Sequence, residues 1–303
     1  MPSLIGSDKK DEEMRKFLGF WIISFFVLQG CVAFERQTIV YRYDVERDEL
    51  RMLMIYEGIY GKNANDYSEL RSVLLRPRAF FFDNWILEYD RDLWVEMLAE
   101  LDHERNTKSK AYEAAYRRLI ELTLDNVRVD NGTFYLNNAG KLSGYQQVTI
   151  TNISELVSAV NGFANATLIH GELELEDILS SQSAAMILNA AYTGHRWVEL
   201  DEGELRIRIP LANHDYEQFR LEVKDDTQWQ RFSKAGLRET YIGGVVEFAF
   251  GGYGHSQTTI SMDVFDGPYI PNMLPFVEED GLLAPSPDFE SIVEQFVQRR
   301  LAW

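Results

Sequence analysis

Residues 38–56 read TIVYRYDVERDELRMLMIY, and this stretch decides the fold class. Two runs rich in β-branched, aromatic and other apolar residues, 38–43 and 50–56, flank the polar segment 44–49. Two such runs around a short polar segment are typical of a β-hairpin. We therefore predict that the folded body opens with two paired antiparallel strands.

The rest of the chain mixes helical and strand patterns without a regular order. Apolar spacing and capping residues predict helices over 67–76, 92–103, 109–124, 176–192 and 288–301, with another beginning after Asn152. Alternation and β-rich composition predict strands over 127–129, 133–136, 145–150, 197–200, 205–211, 219–223, 245–250 and 258–265. Hairpins interspersed with helices, without βαβ alternation, predict an α+β fold: a mainly antiparallel sheet built from hairpins and packed by several amphipathic helices.

Two local signals predict a chain reversal and a helix start. Asp130-Asn131-Gly132 predicts a tight turn, because Asn and Gly tolerate positive φ. Asn152 is predicted to cap the next helix, with Glu155 three residues later as in a capping box. Together they predict a meander of short strands that leads into a helix.

Composition and charge exclude several classes of protein. The chain has 303 residues, 46% of them apolar and 26% charged, which excludes both a mainly disordered chain and a multi-span membrane protein. Its formal net charge of −18 argues against broad nucleic-acid binding, which needs positive charge against phosphate. The single cysteine excludes a disulfide framework and a cysteine zinc site. No metal and no cofactor is predicted.

The N-terminus carries the strongest functional signal. Residues 17–28 read FLGFWIISFFVL, twelve positions without charge, and Arg15 and Lys16 precede them. The last of these twelve residues begins the segment Leu28-Gln29-Gly30-Cys31, which contains the only cysteine of the chain. A basic segment, a short apolar segment and a small residue at the end are the layout of a secretory signal peptide.

This junction resembles the lipobox of bacterial lipoproteins: Leu28, a tolerant position, Gly30 and then Cys31. The resemblance implies that the chain is cleaved before Cys31, which carries diacylglycerol on its sulfur and becomes the mature N-terminus. Several acyl chains, such as palmitate, hold a protein to a membrane where a single chain does not. By the sorting rule of enteric-type lipoproteins, Val32 after the cysteine favours the outer membrane over the inner.

The resemblance sets the predicted boundaries of the chain. Residues 1–30 are the predicted lipoprotein signal peptide, and 31–303 a single α+β extracytoplasmic domain, with a division into two subdomains near residue 150 as the alternative. Acidic residues before Met14 are unusual in a signal peptide, so we predict that translation starts at Met14. An uncleaved membrane anchor over 18 residues, 17–34, and a buried core helix are the two alternatives to cleavage.

Two carboxylates are the catalytic candidates, and both are weak. The segment 245–265 is predicted to form a hairpin that places Glu247 and Asp263 on its polar face, beside Thr259 and Ser261. Two carboxylates on adjacent strands would form a general acid/base pair or a cation site. The alternative, which we favour, is the solvated outer face of an antiparallel sheet.

Three other groups have an ordinary structural interpretation that we favour. The turn Gly251–Ser256 is a hairpin loop or, through its glycines, a weak anion site. Arg206, Arg208 and Arg220, on two predicted neighbouring strands, form cross-strand ion pairs or bind a carboxylate or phosphate. The histidines lie far apart and are interpreted as surface or core residues: His103, His170, His195, His214 and His255.

These observations predict a membrane-anchored lipoprotein of the cell envelope, on the periplasmic or outer-surface side. The predicted role is binding, scaffolding or envelope assembly without evident catalysis, with the membrane, through the lipid on Cys31, and envelope proteins as partners. One alternative is a lipid-anchored hydrolase or carbohydrate-active enzyme that uses Glu247 and Asp263. The other is a small-ligand-binding lipoprotein, which needs a pocket with convergent polar groups.

Overall fold

The computed structural model describes residues 32–61, 78–79, 89–103, 109–170, 175–201, 203–224, 226–234, 236–251, 257–263, 274–279 and 281–298. Its strands are β1 (Val32–Asp44), β2 (Glu49–Gly61), β3 (Arg78–Ala79), β4 (Tyr89–Asp90), β5 (Val127–Leu136), β6 (Leu142–Thr151), β7 (Val198–Asp201), β8 (Glu204–Pro210), β9 (Arg238–Ile242), β10 (Val245–Phe250) and β11 (Gln257–Asp263). Its helices are α1 (Arg91–His103), α2 (Lys110–Asn126), α3 (Ile153–His170), α4 (Leu175–Ile178), α5 (Ser181–Tyr192), α6 (Asn213–Val223), α7 (Thr227–Lys234), α8 (Leu274–Glu279) and α9 (Phe289–Gln298). The predicted α+β class is confirmed.

Most of these strands belong to two antiparallel sheets. One sheet has five strands in the order β11-β1-β2-β6-β5, and the other has four in the order β7-β8-β10-β9. The short strands β3 and β4 pair with each other. The predicted opening hairpin is confirmed, because β1 and β2 pair from Val32↔Gly61 to Asp44↔Glu49.

The centre of the five-stranded sheet is buried on both faces. On one face Ile39 and Met54 join a core to which α2 and α3 contribute. On the other face Val40 and Leu53 pack against Ile292 of α9. Burial on both faces explains why β1 and β2 contain near-continuous apolar runs, since no position at the centre needs to face water.

Helix α3 joins the cores of the two sheets. Its first half contributes Ile153 and Leu156 to the core of the five-stranded sheet, and its second half contributes Ala164 and Leu168 to the core of the four-stranded sheet. The chain then returns to the five-stranded sheet with β11, which pairs with β1. The alternative division into two subdomains near residue 150, at the end of β6, stays a prediction.

Helix α3 is capped by Asp48 rather than by the predicted Asn152. The Asp48 carboxylate accepts hydrogen bonds from the Ser154 nitrogen at 3.0 Å and the Ser154 hydroxyl at 2.5 Å, and its carbonyl accepts from the Ile153 nitrogen at 3.1 Å. Asn152 has a φ of 48°, outside the extended region typical of an N-cap, and its side-chain amide donates to Asn126. The turn between β1 and β2 therefore supplies a cap that is remote in sequence.

The predicted turn at residues 130–132 is wrong. β5 continues through these residues beside β6 with a register shift between Asn131 and Phe134, and the chain reverses later, after Leu136. Gly132 leaves the space in which the ring of Tyr145 lies, so a side chain at this position would force that ring to move. A bulge accommodates Asn and Gly as a turn does, so the two cannot be told apart from these residue types alone.

The predicted strand over 219–223 is also wrong, because these residues end helix α6. This helix buries Tyr216 and Phe219, which lie three residues apart, and leaves Arg220 and Leu221 exposed. The apolar residues of the segment therefore do not share the single face that a strand would require.

The remaining helix predictions are confirmed where the structure describes them. Those over 92–103, 109–124 and 288–301 correspond to α1, α2 and α9, and the one over 176–192 is divided into α4 and α5. The predicted signal peptide with Cys31, and the helix predicted over 67–76, lie outside the described residues. Among the described helices, none combines the length and the hydropathy that a membrane span needs.

Candidate functional site

A cleft of about 680 Å³ opens between α3 and β7. One wall is a face of α3 that carries four polar residues at helical spacing: Ser154, Ser158, Asn161 and Asn165. The opposite wall is formed by residues 194–196 and by β7, and Tyr43 of β1 also lines the cleft. The cleft therefore lies where elements of the two sheets meet.

Two asparagines of α3 hold the walls together. The Asn161 amide accepts a hydrogen bond from the Val198 nitrogen and donates one to the Val198 carbonyl, each at 2.8 Å. Asn165 accepts from the Trp197 indole nitrogen at 2.7 Å and donates to the His195 carbonyl at 3.2 Å. Because β7 is an edge strand of the four-stranded sheet, Asn161 supplies backbone partners that a further strand would otherwise provide.

His195 lies beside this amide pair. Its Nε2 is 3.3 Å from the Arg208 carbonyl oxygen, and its ring meets the Trp197 ring edge-on with 4.7 Å between centroids. Burial, together with the nearby charge of Arg208, lowers the pKa of His195 below its usual 6.5. The ring is thus neutral at pH 7, and donation from Nε2 to the carbonyl leaves Nδ1 as an acceptor.

Arginines neutralise the carboxylates of β7, on the wall of the cleft opposite α3. Arg208 lies 2.6 Å from Glu199, and Arg206 lies 3.5 Å from Asp201. Arg196 also lines the cleft, is exposed, and forms no hydrogen bond or ion pair with another described residue. Arg196 is therefore a cation that a ligand in the cleft can reach.

The groups that face the cleft suit binding. Ser158 is exposed and its hydroxyl can donate or accept, Nδ1 of His195 accepts, and Arg196 provides a positive charge with several donors. The two asparagines are already hydrogen-bonded to the opposite wall, so they set the width of the cleft. A donor, an acceptor and a cation on rigid walls can orient a small polar molecule.

The structure does not bring Glu247 and Asp263 together as predicted. β10 and β11 belong to different sheets, so the predicted hairpin over 245–265 is wrong. Glu247 lies opposite Arg208 on β8 and pairs with it at 2.7 Å. Asp263 lies opposite Arg36 in the register of β11 with β1, and its side chain lies outside the described part of the chain.

The alternation predicted for β10 is confirmed at Val246 and Phe248, which are buried on either side of the half-buried Glu247, but the predicted pairing of β10 with β11 is wrong. β11 pairs with β1 from Arg36↔Asp263 to Arg42↔Gln257, while β10 pairs with β8 and β9. An alternating pattern specifies which residues share a face, but it does not specify which strand lies alongside.

The three arginines divide between two kinds of element. Arg206 and Arg208 lie on β8 and form ion pairs with Asp201 and Glu199 of β7, so the cross-strand interpretation is confirmed for them. Arg220 lies on helix α6, not on a strand, and pairs there with Glu239 at 3.3 Å.

The other predicted candidates form no second site among the described residues. Of the turn 251–256 only Gly251 lies within the described residues, and Cys31 and His255 lie outside them. His170 and His214 are exposed. Among the described residues, no group of three or more His, Cys, Asp or Glu side chains is placed to hold a metal ion.

Comparison of this chain with protein-family models, with curated proteins and with solved structures finds no match.

Sequence reasoning missed the cleft, although one signal for it was present. Asn161 and Asn165 lie four residues apart on a helix whose other central residues are mostly apolar, and amides at such positions are usually buried with a specific partner. Nothing local indicated that this partner is the segment 195–198, because that segment is some thirty residues away.

Proposed function

We propose that the mature chain is a lipid-anchored protein of a bacterial cell envelope that binds a small polar ligand in the cleft between α3 and β7. The observation that carries the anchor is Leu28-Gln29-Gly30-Cys31 at the end of the uncharged run 17–28. The predicted body lies outside the cytoplasm, and the outer membrane is the favoured location because Val32 follows the cysteine.

The start of the fold supports cleavage over an uncleaved membrane helix. Val32 and Phe34 belong to β1, where they lie opposite Gly61 and Ile59, and the Phe34 side chain is buried in the core. A membrane helix would therefore have to end before Val32. Residues 17–31 would span about 22 Å as a helix, which is shorter than a hydrocarbon core of about 30 Å.

The cleft supports a binding role and indicates the ligand class. Its carboxylates are paired with arginines, whereas Arg196 has no partner among the described residues. A ligand that carries a carboxylate or phosphate would pair with Arg196 and accept hydrogen bonds from it. The hydrolase alternative has less support, because the strands of Glu247 and Asp263 lie in different sheets.

Expression with the native signal in a bacterial host tests the anchor. The mass of the mature protein is measured for the full chain and for Cys31→Ala. We expect an acylated product that begins at Cys31, and the loss of both cleavage and acylation in the variant. An unmodified product that retains residues 15–30 would contradict the lipoprotein assignment.

Histidine NMR tests the cleft. The His195 ring signals, assigned with His195→Gln, are followed while glucuronate, citrate, inorganic phosphate and glucose are added separately. We expect the anionic compounds to shift these signals and glucose to leave them in place. Arg196→Ala should weaken binding about tenfold or more, since a hydrogen bond to a charged group contributes about 1.5–3 kcal/mol.

Arg128→Ala is the matched control, because Arg128 is an exposed arginine on β5 whose partner is Asp130. It should bind as the unaltered chain does. Equal loss in both variants, or no shift of the His195 signals with any anion, would contradict a binding site at the cleft.

A further inference from the structure

We propose that one end of the five-stranded sheet rests on the phospholipid headgroups, and that a very short tether holds the body upright with the cleft facing away from the membrane. This inference rests on the proposed function, because it takes the acylated Cys31 as the anchor. It identifies the surface of the body that faces the bilayer.

The tether is short because the fold begins one residue after the anchor. β1 starts at Val32 and is paired from its first residue, with Val32 opposite Gly61. Successive Cα atoms are about 3.8 Å apart, so no flexible linker separates Cys31 from the sheet. The end of the sheet that holds Val32 must therefore stay within a few ångströms of the lipid.

The strand register shows which other segments lie at this end. Ser143 near the start of β6 lies opposite Glu57 near the end of β2, and Leu142 lies opposite Leu136 at the end of β5. The turn between β5 and β6, residues 137–141, is therefore at the same end as Val32. We call it the proximal turn.

Among the described residues, the surface around the proximal turn has no net charge, because the pocket beside it is lined by two acidic and two basic residues: Glu35, Glu57, Arg36 and Lys141. The turn reads NNAGK, and its one charged residue, Lys141, is paired with Glu35 at 2.7 Å. Residues 281–287 read GLLAPSP and run beside it, because the Ala284 nitrogen donates to the Phe134 carbonyl at 2.8 Å. In a chain with a net charge of −18, a surface whose described charges balance can approach anionic headgroups with less repulsion than an acidic surface.

The opposite end of the sheet is acidic. The turn between β1 and β2, the distal turn, reads DVERDE over residues 44–49, with four carboxylates and one arginine. At about 3.3 Å per residue, the 13-residue strand β1 separates the two ends by about 40 Å. Anionic headgroups would repel the distal turn, so the charge distribution favours the same orientation as the tether.

The cleft lies near the distal turn. Tyr43 lines the cleft at the end of β1, and Ser154, on the opposite wall, is hydrogen-bonded to Asp48 of the distal turn. An upright body therefore presents the cleft to the aqueous side, where a diffusing ligand enters without contact with the membrane.

Site-specific quenching tests this orientation on the acylated chain. Because Cys31 is the only cysteine and its sulfur is blocked by the proposed diacylglycerol, Ala139→Cys and Glu46→Cys each introduce a single free thiol for a fluorophore. Both positions are exposed, one in the proximal and one in the distal turn. The labelled proteins are bound to vesicles of phosphatidylcholine and phosphatidylglycerol that contain lipids with a nitroxide on the headgroup.

We expect quenching of the label on the Ala139→Cys variant to be several times stronger than that on the Glu46→Cys variant. A flexible Gly/Ser insertion of 12 residues between Cys31 and Val32 spans about 20 Å and should reduce this difference. Equal quenching at the two positions, or stronger quenching in Glu46→Cys, would overturn the inference. A difference unchanged by the insertion would overturn the role of the tether.

The mass of the same preparations separates this inference from the proposed function. An acylated product with equal quenching at both positions overturns the orientation and leaves the lipoprotein assignment intact. A product without acyl chains overturns the assignment and, with it, the orientation.

Discussion

Glu204→Gln should destabilise the protein more than the loss of any ordinary surface carboxylate. Glu204 is 4% exposed and lies between two arginines, with the Arg206 Nε at 2.6 Å and the Arg238 Nη2 at 2.5 Å. Arg238 also donates to the Gly251 carbonyl at 2.9 Å. The carboxylate thus links β8 to β9 across the intervening β10, at the point where the chain leaves the four-stranded sheet.

The structure sets the size of the expected effect. Removing one partner of a buried ion pair costs about 3–5 kcal/mol, because the other charge is left uncompensated. Here the side chain of Arg238 is 54% exposed, so water screens the charge that the variant leaves unpaired. Arg206 still has Asp201 as an ion-pair partner at 3.5 Å. Glutamine retains one acceptor oxygen and turns a donor towards an arginine. We therefore expect a loss of about 2–3 kcal/mol in the free energy of unfolding at pH 7.

The effect should depend on pH. Burial opposes ionisation of Glu204, but the hydrogen bonds and charges of Arg206 and Arg238 outweigh it and lower the pKa of Glu204 in the folded chain. As the pH falls below about 4.5, the unfolded chain takes up a proton before the folded chain does. The contribution of Glu204 is therefore fully present above that pH and is lost as the pH falls through the lowered pKa.

Urea denaturation of the unaltered chain and of Glu204→Gln, at pH 7 and at a series of lower pH values, measures this difference. Asp130→Asn is the control, since Asp130 is half-exposed and its pair with Arg128 contributes less than about 1 kcal/mol. A Glu204→Gln effect no larger than that of the control at pH 7 would refute the reasoning, as would a difference between Glu204→Gln and the unaltered chain that stays constant on acidification.

Three further outcomes follow from the cleft and its surroundings. Asn161→Ala should lower the free energy of unfolding by about 2–4 kcal/mol, because it leaves both backbone groups of Val198 without a partner. Hydrogen exchange at the Val198 amide should become faster, and unchanged exchange would contradict this. NMR titration should give His195 a pKa below 6.5 in the folded chain. On acidification the unfolded chain therefore binds a proton at this residue before the folded chain does. The free energy of unfolding should fall from pH 7.5 downwards, and it should fall less in His195→Gln. Asp215→Ala should lower the free energy of unfolding by about 2–4 kcal/mol, because the buried carboxylate accepts hydrogen bonds from the hydroxyls of Ser180 and Ser183. Urea denaturation should show a larger loss for this variant than for Asp215→Asn.

Local periodicity in the sequence predicts much of the fold. The pair of apolar runs within 38–56 predicted the β1–β2 hairpin, and helical spacing predicted α2 and α9, because the side chains that share a face are fixed by the geometry of one element. The same short-range patterns misled at 219–223 and at 130–132. A five-residue alternation also fits a helix that is buried on one side, and an Asn-Gly pair also fits a bulge.

The candidate site depended on contacts between distant segments. Asn161 meets Val198, and Asp48 caps a helix that begins more than a hundred residues later. Glu247 and Asp263, close in sequence, belong to strands of different sheets. No pattern within a few residues specifies which remote backbone a polar side chain will meet, since that depends on how the two sheets pack around α3.

The sequence by itself determined the class of the fold, the opening hairpin and the acidity of the body, because composition and periodicity are properties of a short stretch of chain. It also contains a stretch that resembles a signal peptide with a lipobox, from which the anchor is proposed, since such a signal is defined by contiguous residues. Only the tertiary structure decided that β11 returns to β1, that Asp48 caps α3, and that His195 and Arg196 line a cleft with Ser158. Each of these depends on long-range packing, in which burial of apolar faces selects one arrangement of elements and brings polar groups together as a consequence.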